Sequence, residues 1–337
     1  MADRSTTFWA GIDVSKAKFD VAIFRKGDDR RKWRSMKVET FTHDQKGTGQ
    51  FLAWLARQQG VCAGLCAEST GVYSQRLAMQ IAACRKRPAD LPALSIVNPR
   101  FVKGTGESLN VRDKTDANDA RIIAIHGVEN EPEPAAARSP QWLRLQALAK
   151  LREGAVADLA RASNQLESCL DAACRRFIKE DIRHCERKRD KIQEQIDELI
   201  DSCPEIARDV ELLESVPYIG RVIAVAILAQ FGDLRTWSRR QIVSYAGLYP
   251  CVKESGSSVF EKPHLGRKCG KKIRSIMYMA CLNLIHRDVG YNRSAVRMHK
   301  EDNRPPKFCI GVAMRKMLMV ARAVVVSGKP YNPALAA

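Results

Sequence analysis

"FWAGIDVSKAKFDVAIFR", Phe8 to Arg25, decides how the chain begins. It holds two short β-rich runs, "FWAGIDV" and "KFDVAIFR", joined by a tight connection. Asp13 lies inside the first run, after apolar "FWAGI", where an ionised carboxylate is costly unless a cation compensates it. Reading onward, "KWRSMKVETF" makes a third strand. "HDQKGTGQFLAWLARQQG" makes a helix that stops at Gly60. A fourth strand, "VCAGLCAE", ends on Glu68 and is followed by a helix after "STGVYS". A fifth strand, "ALSIVNP", precedes the helix in "KTDANDARIIAIHG".

Three antiparallel strands followed by alternating strands and helices give β-β-β-α-β-α-β-α, the order of an RNase H-like sheet. Four acids fall where such a sheet brings chemistry together. Asp13 is in the first strand and Glu68 ends the fourth, which that topology places beside the first. Asp116 and Asp119, three residues apart, share one face of the helix and repel each other unless something positive lies between them. Four carboxylates from three elements can hold two Mg²⁺ ions about 4 Å apart for in-line attack on a phosphodiester. Asp20 is expected on the wrong side of its strand or in solvent, and Asp113 in the N-cap region of the helix, so neither joins the set.

Composition supports a polyanionic partner. The 337 residues are 45% hydrophobic, enough for at least one full core and for two or three domains. Lys and Arg exceed Asp and Glu by 56 − 38 = +18, an excess that points to nucleic acid first. The longest apolar run, "VIAVAILA" from Val222, is far short of the roughly 18 residues that span a bilayer, and no leader-like segment opens the chain. A cytosolic protein without a membrane is expected. None of the eleven cysteines forms a CxxC pair. Cys62 and Cys66, about 13 Å apart at strand rise, cannot share one ion, so all are read as thiols in a reducing compartment. "GRKCGKK" lacks the spacer and the Ser or Thr of a phosphate loop, and no ATP site is found.

"ENEPEPAAARSP", Glu129 to Pro140, reads as a linker. Beyond it Leu148, Leu151, Ala155, Leu159, Ala162, Leu166 and Leu170 recur in steps of three and four. After an adjustment Ile178, Ile182, Cys185, Ile192, Ile196 and Leu199 continue, with Arg189 at one seam position. A long helical hairpin or coiled coil fits, packed on a second copy or on its own domain. "LLESVPYIGRVIAVAILAQFGDL" resembles a helix-hairpin-helix but carries Tyr218 where such hairpins place a first glycine, so a plain helical turn is the preferred reading. The turn "KESGSSV" offers Ser255, Ser257 and Ser258, by composition a flexible turn. The stretch Glu261 to Arg274, with six Lys or Arg against one Glu, reads as a phosphate-contacting loop built on Lys262, Arg267, Lys268, Lys271 and Lys272.

"GIDVSKAKFDVAIF", "AESTGVYS", "IVNPRFVKG", "KTDANDARIIA", "LLESVPYIG", "YAGLYPCVKESGSSV", "KKIRSIMYMA" and "GVAMRKMLMVARAVVVSGKPYN" occur in order over nearly the whole chain. Together they resemble the DEDD-type insertion-sequence transposases, the bridge-RNA-guided recombinases. The resemblance implies an α/β RuvC-like domain (1–130) with Asp13, Glu68, Asp116 and Asp119 binding Mg²⁺. It implies a linker and coiled coil (131–205), and a mainly α transposase domain (206–337) whose nucleophile is Ser255. It further implies a 5′-phosphoserine linkage, and an acid site completed by the serine domain of another subunit in a tetramer. A structured noncoding bridge RNA would pair with target and donor DNA, and the protein would act in the bacterial cytoplasm, on the nucleoid when bound. Two other readings use the same residues: a Holliday-junction nuclease with water as nucleophile, and a non-catalytic nucleic-acid-binding scaffold.

Overall fold

The structure, a computed structural model, describes residues 6–335 apart from 86, 112, 114, 135–138, 256–258 and 267–269; residues 252–255 and 259–263 are described by their backbone alone. Two compact units divide the chain, Met1–Ala137 and Arg138–Ala337.

In the first unit β1 (Thr7–Val14) turns into β2 (Lys18–Arg25), and a 3-10 segment (Arg30–Ser35) leads to β3 (Val38–Thr42). Then come α1 (Gln45–Leu55), β4 (Val61–Glu68), α2 (Val72–Ala83), β5 (Leu94–Val97), α3 (Pro99–Ser108) and α4 (Asp116–Asn130). The strands form one sheet in the order β3-β2-β1-β4-β5. β1, β2 and β3 pair antiparallel, while β4 and β5 run parallel to β1.

Two expectations change here. The first half of "KWRSMKVETF" is a 3-10 segment that buries Trp33, so the third strand begins only at Val38. A helix not anticipated from pattern, α3, follows β5 directly. Asn98 caps it by accepting from the Arg100 amide, and Pro99 opens it.

Both faces of the sheet are covered. Phe8, Ala10, Ile12 and Val14 of β1, with Phe19, Val21, Leu65 and Ala67, pack with Phe51 and Leu52 of α1 and Leu77 and Ile81 of α2. On the opposite face Trp9, Cys66 and Val97 meet Val102, Ile122 and Ile123, and Ala22, Phe24 and Trp33 meet Ala120, Ala124 and Ile125. Strand alternation therefore assigns Gly11, Asp13 and Glu68 to the face that carries α4. Gly11 allows α4 to lie close. A Cβ there would stand 2.0 Å from the Ala124 nitrogen and 2.4 Å from the Ala120 oxygen.

The second unit opens with a long helical hairpin, α5 (Pro140–Ser168) and α6 (Ala172–Asp201). Arg152 Nε donates to Gln193 Oε1 at 2.7 Å across it, and Arg175 Nη1 closes the turn by donating to the carbonyls of Leu166 and Cys169. Ala155, Ile178, Ile196 and Leu199 of the expected seam are buried, but Leu151 is exposed and Leu170, in the turn, is 96% exposed, so neither is a buried seam residue. The base of the hairpin, through Trp142, Leu145, Ile196 and Ile200, joins the core of the helices that follow.

These are α7 (Pro204–Glu214), α8 (Arg221–Phe231), α9 (Arg239–Tyr245), α10 (Lys271–Cys281), α11 (Arg293–Lys300) and α12 (Pro306–Ser327), with a β-hairpin of β6 (Pro250–Ser255) and β7 (Val259–Leu265) between α9 and α10. In the turn from α7 to α8 Tyr218 takes a φ of +68°, the left-handed conformation usually left to glycine. Tyr291 Oη braces that turn by donating to the Pro217 carbonyl at 2.9 Å. Among the described residues no helix is long and apolar enough to cross a membrane.

Candidate active site

Parallel pairing brings Ile12 opposite Ala67, so Asp13 and Glu68 occupy the next positions along neighbouring strands, on the face covered by α4. Thr115 caps α4, its hydroxyl accepting from the Asn118 amide at 3.3 Å. Asp116 and Asp119 lie in the first turn, where the helix dipole favours negative charge. Asp113 lies outside the helix and contributes its carbonyl to the Asn118 side chain, at 3.1 Å.

The four acids predicted from sequence share one electrostatic field. Burial, then the charges of Asp119, Asp116, Glu68 and Asp20 in falling order, push the Asp13 carboxyl from 3.8 up to about 6. Among the described residues no three His, Cys, Asp or Glu side chains stand as a ready metal cage. The donor set itself, all carboxylate oxygen, fits a hard divalent cation. The rise at Asp13 comes first from burial and then from the negative charge of its acidic neighbours.

Asp20 corrects the sequence reading. It pairs directly opposite Asp13 in the β1–β2 register and therefore shares its face, buried rather than in solvent. Its Oδ1 accepts from Thr40 Oγ1 at 2.5 Å and its Oδ2 from Lys18 Nζ at 3.0 Å. The same Lys18 ammonium lies 3.3 Å from Asp116 Oδ2. An open cleft of about 470 Å³ is lined here by Lys18, Asp20, Thr40, Thr115 and Asp116 among others. Lys18 opens β2 inside the stretch "GIDVSKAKFDVAIF", with Asp20 two places on along the same strand, and that spacing was the local signal for it.

In the second unit Ser255 is the last residue of β6, paired with Val259 across the hairpin tip. The stretch read as a flexible turn and basic loop is thus partly a β-hairpin and partly the first turn of α10. Ser257, Ser258, Arg267 and Lys268 lie outside the described residues, and Ser255 and Lys262 are placed by backbone alone. Lys271 and Lys272 are exposed at the start of α10. One of these lysines is paired: Lys272 Nζ lies 3.0 Å from Glu153 Oε2 of α5.

Two family models match the chain. Residues 10–175 match a DEDD transposase model, and residues 210–296 match the transposase model of the IS116/IS110/IS902 family. Over 328 residues the chain is 27% identical to a pilin gene-inverting protein of Moraxella bovis, covering 96% of this chain and 97% of that protein. A pilin gene-inverting protein of Moraxella lacunata matches to the same extent. The class is that of a DNA-processing transposase. The chain belongs to the IS110 family of DEDD transposases. Its family implies DNA as the substrate and a general dependence on divalent metal.

Proposed function

We propose that this chain is the recombinase of an insertion sequence, cutting and rejoining target and donor DNA through a 5′-phosphoserine intermediate under the direction of a structured noncoding bridge RNA. The observation that carries the reading is the placement of Asp13 and Glu68 at successive positions of neighbouring parallel strands beside the first turn of α4, which carries Asp116 and Asp119; burial, and after it the charges of these acids, raise the Asp13 carboxyl. The sheet order β3-β2-β1-β4-β5 supports an RNase H-like, RuvC-like domain over residues 1–130. Similarity over nearly full length to proteins that invert a gene supports rejoining as well as cutting, since an inverted segment must be sealed at both ends.

Asp13, Glu68, Asp116 and Asp119 would hold Mg²⁺, which when bound supplies charge stabilisation at the phosphate. Ser255 Oγ attacks phosphorus and loses its proton. The bond to the 3′ oxygen breaks, that oxygen leaves as a 3′ hydroxyl carrying a proton, and the 5′ phosphate stays on the serine. The 3′ hydroxyl of a second strand then reverses the exchange. The phosphodiester energy is kept in the ester, so no ATP is consumed. The remaining parts of the reading are a coiled-coil segment over 131–205, a transposase domain over 206–337, a tetramer in which one subunit's serine serves another's acids, and action in the bacterial cytoplasm.

The test is to purify the protein with its co-purifying RNA, sequence that RNA, and incubate the complex with donor and target DNA in Mg²⁺. A detergent-resistant protein–DNA adduct is expected, lost in Ser255→Ala and in Asp13→Asn. Cleavage that persists in Ser255→Ala without an adduct makes water the nucleophile and overturns the serine mechanism.

A further inference from the structure

We propose that Lys18 is a positioning residue of the acid site, a clamp whose ammonium, anchored on buried Asp20, which Thr40 holds in turn, keeps Asp116 at the entrance of α4 beside Asp13. The inference rests on the reading of Asp13, Glu68, Asp116 and Asp119 as metal-holding acids.

The chain fixes Lys18 at both ends. Its backbone is tied at the β1–β2 turn, where the Ser15 amide and hydroxyl donate to the Lys18 carbonyl at 2.9 and 2.8 Å. Its ammonium reaches forward to Asp20 Oδ2 at 3.0 Å and Asp116 Oδ2 at 3.3 Å. The Asp20 side chain is 6% exposed, and each of its oxygens is already engaged, one by Thr40 and one by Lys18. That makes Asp20 an anchor rather than a fifth ligand.

Asp116, by contrast, has a side chain 59% exposed at the first position of its helix, with freedom to turn into solvent away from like charge. A fixed ammonium opposes that repulsion. A group that orients a metal-binding carboxylate in this way ordinarily changes metal affinity by about 10-fold or more when removed.

The experiment uses full-length protein, with Mn²⁺ as probe read by its electron paramagnetic resonance signal, and hydrogen exchange of the segment 115–121 read by mass spectrometry without metal. Lys18→Met should weaken Mn²⁺ binding about 10-fold and speed exchange in 115–121 about five-fold, the loss of one charge-assisted contact. Lys18→Arg should keep both near wild type. Because Lys18→Met strands a buried carboxylate, the double variant Lys18→Met/Asp20→Asn is measured beside it, which removes the charge pair together.

The clamp predicts that the double variant stays weak in Mn²⁺ binding and fast in exchange. Return of both to wild-type values would mean that Lys18 only neutralises Asp20, and would overturn the proposal. So would a folded Lys18→Met protein with unchanged binding and exchange. If the wild-type protein binds no Mn²⁺, the metal reading of the acids fails, and the exchange rates of 115–121 still decide for or against the clamp.

Discussion

Asp13→Asn should make the metal-free protein more stable while removing its function. The wild-type carboxyl is raised from 3.8 to about 6 by burial and by four neighbouring acids. The folded state therefore binds the proton more tightly than the unfolded state, and the metal-free protein gains stability as pH falls from about 6 toward 4. A shift of about two units corresponds to roughly 3 kcal/mol at 1.36 kcal/mol per unit. Asp13 is only partly buried, and solvent screening reduces the effect to about 1–2 kcal/mol.

At pH 8 the asparagine variant avoids that cost. For a unit the size of Met1–Ala137 the gain is a rise of roughly 4–8 °C in the midpoint of its transition. Scanning calorimetry of both proteins, in chelator, from pH 4.5 to 8 makes the measurement. The two midpoints should converge as pH falls, because the wild type alone gains a proton at this site. Mg²⁺ should raise the wild-type midpoint and leave the variant little changed. Equal midpoints at pH 8, or a gap independent of pH, would refute the claim that burial and neighbouring acids hold the Asp13 carboxylate at a cost.

Gly11→Ala would drive a methyl into the α4 backbone at Ala120 and Ala124; displacement of the helix should cost about 1–3 kcal/mol in urea denaturation and lower strand cleavage in parallel. Arg235→Met would strip the fully buried Asp209 of two hydrogen bonds at 2.7 and 2.8 Å, and should cost about 3–5 kcal/mol by the same measurement. For nucleic-acid binding, Lys271→Ala should reduce the slope of log affinity against log salt by about 0.9. Lys272→Ala should change it less, since Glu153 already engages that ammonium; equal effects would count against the pairing in solution.

Much of the first unit follows from local sequence. β2 and β4 run over the residues that pattern alone assigns, because β-branched and aromatic runs bounded by turn residues have few other solutions. Asp116 and Asp119 are legible as a helical pair for the same reason. α3 escaped because "PRFVKGTGES" carries two glycines and few apolar residues, although Asn98 and Pro99 marked its start. The 3-10 segment at Arg30–Ser35 escaped because burial of Trp33 against α4, a tertiary contact, overrides the strand pattern around it.

The chain by itself determined the order of the five strands and the basic character, and marked the four acids as candidates, since each depends on composition or on spacing within a few residues. Only the tertiary structure decided which face of β2 meets α4. Both faces of that strand are buried, so hydrophobic alternation carries no direction, and the antiparallel register alone sets Asp20 opposite Asp13. From that register comes the Lys18 link between Asp20 and Asp116, a contact between residues 98 positions apart that no local pattern encodes.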